Sequence, residues 1–177
     1  MVKWSQKKKI MKNVLLFLVK VNLLLIPFYL IIYLDISFYS LQTAFTGFLA
    51  SILNLLGYQV KTSDYLLFIG ENEFPIDISR DCLGWKGIYS LFALVLATPG
   101  EMKSKLKFLF IGIPFMFLVN ILRIIMTLII GLNAGLHYID FIHTFIWQQA
   151  MILILIGTWY VWLKKGNINI EKMRNIL

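Results

Sequence analysis

Three side chains in this sequence could carry out nucleophilic chemistry together. Cys82, the sole cysteine, can supply a thiolate, Arg123 a fixed positive charge and His143 a proton acceptor and donor. Lys86 follows Cys82 by four residues, where a cation would favour thiolate over thiol against the opposing effect of burial. Gly84 and Gly87 remove bulk beside the thiol, although plain helix packing accounts for them as well. Asn120 and Thr127 stand at i−3 and i+4 from Arg123, on the helical face that could hold its guanidinium. Each residue also has a bland reading. A lone cysteine in an apolar chain is ordinarily inert packing, and His143 or nearby His137 could be simply interfacial. Arg123 is the informative one, because an arginine inside a membrane span costs about 2.5–3.5 kcal/mol on insertion scales. Its bland alternative is a structural ion pair or snorkelling.

The elements that must position these residues are membrane helices. Of 177 residues, 59% are apolar and 15% charged, against about 45–50% and 25% in soluble domains. Mean hydropathy is +0.78. A soluble globular enzyme is excluded. One integral membrane domain over 1–177 is expected, all-α in class. Its four-helix transmembrane core runs over about 14–34, 83–98, 108–131 and 144–163. The first apolar run is too long for a signal-peptide core and lacks a small-residue cleavage site, so it reads as a retained span. Residues 40–58 mix apolar residues at helical spacing with Gln42, Thr43, Thr46, Ser51 and Asn54, and read as an amphipathic or partly inserted helix. Residues 60–79 hold two apolar arms, Tyr65–Ile69 and Phe74–Ile78, around the turn-prone Gly70–Glu73, which predicts a small β-hairpin.

Charge sets the orientation. Five basic residues fall in 1–13, three in 99–107 and four in 164–177, all bordering apolar spans. Four crossings, with 40–58 not crossing, gather these 12 of 17 on the cytoplasmic side. Both termini are then cytoplasmic in a multi-pass cell-membrane protein, and 35–81 and 132–143 lie outside. The charges are spread at span borders, as topology requires, and not on a nucleic-acid-binding face. Arg123 would sit about 22 Å from the cytoplasmic end of its span and about 12 Å from the outer end. Cys82 and His143 open helices at that same outer face. No HExxH, GxSxG, phosphate-binding loop or Cys/His metal cluster is present, so no cofactor or metal is expected.

The run Asp81-Cys82-Leu83-Gly84-Trp85-Lys86-Gly87, then Asn120-Ile121-Leu122-Arg123, then His143 before the last helix, resembles the exosortase/archaeosortase family. The resemblance covers about residues 40–163. It implies a membrane cysteine transpeptidase or protease, with Cys82 as nucleophile, Arg123 as oxyanion or substrate stabiliser and His143 as general base and acid. Asp81, Gly84, Lys86 and Asn120 are supporting residues. The implied substrate is a membrane-anchored protein whose C-terminal sorting signal has three parts: a short motif, an apolar helix and a basic tail. It is cleaved through a thioester and transferred to a lipid or surface-polymer acceptor, with membrane lipids as surroundings. Leu83 departs from the Ser or Thr often found after the family's cysteine, and many members have additional spans. A non-catalytic membrane subunit or small-solute transporter is the alternative, and a protease releasing its product to water shares all the residues.

Overall fold

The computed structural model describes residues 2–69, 74–135 and 141–165. The turn expected at Gly70–Glu73, residues 136–140 with His137, and the tail after Lys165 lie outside the described residues.

Helices α1 (Val2–Leu24) and α2 (Ile26–Tyr33) form one nearly continuous rod interrupted at Leu25, apolar from about Ile10 onward. Pro27 lies in the first turn of α2; it has no N–H to continue the ladder, and the helix breaks just before it. Tyr89 donates its hydroxyl to Leu24 O at the break, 2.9 Å away. Phe28 packs against Trp85 and Tyr89, with ring centroids 5.0 and 5.9 Å apart, and so docks α2 on a later helix. Phe17 stacks on Trp159 of the last helix, and most other apolar side chains between Ile10 and Tyr33 are exposed, as in a lipid-facing span.

Helix α3 (Tyr39–Leu55) buries Phe45, Thr46, Leu49, Ala50 and Leu53 along one stripe. At 17 residues it is about 26 Å long, short of the roughly 30 Å hydrocarbon core. Its buried stripe covers a three-stranded antiparallel sheet, β1 (Val60–Ser63), β2 (Leu66–Ile69) and β3 (Phe74–Asp77), in the order β1-β2-β3. Val60 pairs with Ile69 and Leu66 with Asp77. The expected hairpin is therefore present with an additional strand. Val-Lys-Thr-Ser carries one apolar residue and no alternation to reveal it, and its inclusion is fixed by Asn54. That side chain accepts from Val60 N at 2.9 Å and donates to Val60 O at 3.2 Å. Gln42 likewise donates to Ile78 O at 3.3 Å. These two polar interruptions of the α3 pattern thus bond the helix to the sheet and the residue after it, as Thr46 does at Tyr65 O and Tyr39 at Asp64.

After a 3₁₀ turn at Arg80–Leu83 comes α4 (Trp85–Ala97), then α5 (Met102–Ala134), a π-helical turn at Phe141–Ile146, and α6 (Trp147–Lys165). The expectation of four full crossings needs correction. Three helices are long and apolar enough to cross a membrane, over Ile10–Tyr33, Met102–Asn133 and Phe141–Lys164. Helix α4, with 13 residues, is about 20 Å long. It starts only after Gly84, which is left-handed at φ 72°, and stops at Thr98, the residue before Pro99. It is a short inner helix packed among α1, α5 and α6, burying Leu91, Ala93, Val95 and Ala97. Helix α5 in turn begins earlier than expected and takes Lys103, Lys105 and Lys107 into its first turns. Lys105 is buried and donates to Leu96 O at 2.9 Å, satisfying a carbonyl at the end of α4. Trp162 is buried against Phe108, and Trp159 donates to Thr98 Oγ1 at 3.1 Å, so both tryptophans pack within the bundle.

Candidate functional site

The cysteine sits on a turn held from three directions. Cys82 N donates to Ser79 O at 2.9 Å, which closes the 3₁₀ turn, and Gly84 in the left-handed region ends it. Arg80 ties the turn to the α2–α3 connection by donating to Ile36 O at 3.0 Å and pairing with Asp35 at 2.9 Å. Asn120, fully buried on α5, donates Nδ2 to Cys82 O at 2.6 Å. Gly84 makes that bond possible. A Cβ at Gly84 would lie 2.6 Å from Asn120 Cγ, so only glycine lets the two backbones approach this closely.

The thiol itself faces the apolar side of the turn. Cys82 is 7% exposed and belongs to the core that includes Phe45, Leu49, Ile121 and Ile124. Ser79 Oγ lies 3.5 Å from the sulfur. Burial pushes the thiol pKa up; the Ser79 hydrogen bond and the positive charge of Arg123 oppose it.

Beside the turn is a cleft of about 410 Å³ between α4, α5 and α6. Asp81, Gly84, Lys86, Asn120, Arg123 and His143 line it, together with Ser90 and Gln148. Six of the seven residues expected at the site therefore share one cavity. Cys82 does not lie on its wall, which is formed by its neighbours Asp81 and Gly84. Arg123 presents Nε and Nη2 with no hydrogen-bond partner among the described residues, and Asn120 Oδ1 is equally unpaired. Two donors and an acceptor are thus buried without partners on residues that line the cleft, which is large enough for a short peptide segment.

Two expected relationships are different in the structure. Lys86 does not act on the thiol: its Nζ pairs with Asp81 Oδ2 at 2.6 Å. Gly84 breaks the helix between Cys82 and Lys86, so the i, i+4 relation assumed for them never forms. Asn120 and Thr127 do not hold the Arg123 guanidinium. Asn120 is spent on Cys82 O, and Thr127 Oγ1 donates to the backbone oxygen of Arg123 at 2.8 Å. Sequence reasoning missed Ser79 and Arg80. Ser79 had a legible signal, its spacing three residues before the cysteine at the mouth of a turn. The π-helical turn that carries His143 had none; such turns recur at functional sites because they re-aim side chains.

On the other face of α4, Leu83, Trp85, Ile88, Tyr89 and Phe92 line an almost wholly apolar groove of about 810 Å³, closed by Phe38, Leu41, Phe45 and Phe48 from the α3 side. Among the described residues no three His, Cys, Asp or Glu side chains are grouped as a metal ion requires.

A family model described as transmembrane exosortase matches residues 7–160 of the 177. No curated protein and no solved structure matches the chain.

Proposed function

The chain belongs to the transmembrane exosortase family, whose members are in general membrane transpeptidases, and from that premise we propose that it cleaves the C-terminal sorting signal of membrane-anchored proteins through a Cys82 thioester. The observation that carries this reading is the shared cleft: Arg123 with unpaired guanidinium donors and His143 face one cavity whose wall continues into the Cys82 turn.

In the proposed mechanism the Cys82 thiolate attacks a peptide carbonyl delivered into the cleft. The sulfur–carbon bond forms, and Arg123 Nε and Nη2 donate to the oxygen on which negative charge develops. His143 gives a proton to the departing amine and later takes one from the incoming nucleophile. That nucleophile is an amine or hydroxyl of a lipid or surface polymer. The apolar groove on the opposite face of α4 offers a seat for the substrate's hydrophobic segment, holding the scissile bond at the depth of the turn. The Lys and Arg bias supports an orientation with this end of the bundle outside the cytoplasm and both termini inside, the short α4 returning the chain to the start of α5.

One observation favours the second reading, a non-catalytic membrane subunit: the sulfur faces the core and is not on the cleft wall. Removing the thiol separates the two. In cells carrying this chain, proteins that end in an apolar helix and a basic tail should lose that tail when Cys82 is present and retain it with Cys82→Ala. Hydroxylamine should also release an acyl product from the wild-type protein. Normal tail removal by Cys82→Ala would refute the nucleophile assignment.

A further inference from the structure

Asn120 has more hydrogen-bonding capacity than the protein uses. Its Nδ2 donates to Cys82 O at 2.6 Å. A carbonyl oxygen only accepts, so this contact fixes which end of the amide is nitrogen and leaves Oδ1 on the other side. That Oδ1 is buried and has no partner among the described residues. A buried acceptor without a donor is costly and uncommon, and it calls for an explanation in function. One helical turn further along α5, Arg123 presents the complement, Nε and Nη2 donors that are also unpaired. Both residues line the same cleft, and positions three apart on a helix share a face. An extended peptide offers the matching pair: the N–H and C=O of a single residue point to the same side of the strand.

We propose that Asn120 is a substrate-binding residue: its Oδ1 accepts the N–H of the residue whose carbonyl Cys82 attacks, while Arg123 takes that residue's oxygen. The inference rests on Cys82 being the nucleophile, as in the reading above. One amide then contacts both reactants. Nδ2 holds the backbone of the nucleophile and Oδ1 holds the backbone of the substrate, so the carbonyl carbon is set in register against the cysteine. The bond reads the main chain, not a side chain. It rejects proline or an N-methylated residue at the attacked position, since neither has the N–H.

Two small acyl donors test this on the full-length protein in detergent. In N-acetylglycine p-nitrophenyl ester the attacked residue keeps its N–H; in O-acetylglycolate p-nitrophenyl ester an oxygen replaces it. Acylation joins the Cys82 sulfur to the carbonyl carbon and breaks the bond between that carbon and the aryloxy oxygen. The bonding electrons leave on p-nitrophenolate, and buffer takes the thiol proton. Cys82 is the only cysteine, so the rate lost in Cys82→Ala reports this site. Each rate is referred to that ester's rate with free N-acetylcysteine. The wild-type protein should then prefer the N–H ester by about tenfold, the worth of one well-placed neutral hydrogen bond. Asn120→Leu should bring that ratio to about one. A purely structural Asn120 would slow both esters alike and leave the ratio unchanged in Asn120→Leu. Equal wild-type rates, no Cys82-dependent acylation by either ester, or a ratio that survives in Asn120→Leu overturns the inference. The wild-type comparison holds even where the variant does not fold. If tail removal needs Cys82 but the two esters react equally, the transpeptidase reading stands and only the Asn120 assignment fails.

Discussion

Gly84 and Asn120 touch so closely that a single added methyl group on the glycine would fall 2.6 Å from the Asn120 Cγ. The contact joins the turn that carries the cysteine to the long helix that carries the arginine, and it fixes the geometry of both. Gly84→Ala should therefore combine a left-handed backbone penalty of about 1–2 kcal/mol with displacement of Asn120 from Cys82 O. Cys82-dependent acylation should fall by at least about tenfold, and the thermal midpoint should drop. Gly87→Ala is the comparison, since its added Cβ would meet the flexible tip of Met116 at 3.2 Å. Equal thermal midpoints for the two variants would show that the Gly84 contact is not structural.

Arg123 donates through a planar fork, and a lysine places a single charge on a flexible stem. Arg123→Lys should lower the rate of tail removal by about 10²–10³-fold, the range seen when one oxyanion donor is lost. Thioester accumulation after a substrate pulse provides the measurement. Near wild-type turnover would leave Arg123 a structural charge only.

Burial raises the Cys82 thiol pKa, with Ser79 and Arg123 working against it. The thiolate fraction, and with it the rate of alkylation by iodoacetamide, should keep rising beyond the pH at which an ordinary thiol levels off. Ser79→Ala removes a lowering contact and should move the profile further toward alkaline pH. Because the folded state holds the proton more tightly than the unfolded chain, this group's contribution to stability is intact below the unfolded thiol pKa. It is lost as pH climbs through the folded value. Lys86→Met should leave the alkylation profile in place, because Lys86 is paired with Asp81 and not with the sulfur.

Asn54 makes both hydrogen bonds that attach Val60 to α3. Asn54→Ala should cost roughly 1–2 kcal/mol, two modest bonds with partial rescue by solvent. Amide exchange should accelerate at Val60–Ser63 well before it does in β3. Uniform exchange across the sheet would mean that β1 is held by its ladder alone.

The long apolar runs gave away three spans, and the basic residues beside them are the basis for grouping the helix ends. Cys82, Arg123 and His143 could be assigned to neighbouring depths because rise per residue is fixed in a helix. What could not be read is how the chain breaks between elements. A left-handed Gly84 turned a continuous fourth span into a turn plus a short helix, and so replaced the Lys86–thiol relation with a Lys86–Asp81 pair. Strand β1 was hidden because its residues do not alternate; it pairs with β2 through the backbone and is tied to α3 by a side chain six residues upstream. The direction of the Cys82 sulfur was hidden too, since periodicity places a residue on an element but does not choose its neighbour across a bundle.

The brevity of α4 has a consequence for water. Arg123 stands eleven positions before the last residue of α5, about 16 Å below that helix end, and the cysteine turn caps a helix far shorter than those beside it. On the proposed reading the chemistry is therefore set below the ends of the longer helices, beside the cleft between α4, α5 and α6. A substrate strand filling that cleft would displace solvent from it, and an acyl group left there would first meet a molecule entering the same cleft. On the proposed reading, that depth would favour transfer over hydrolysis.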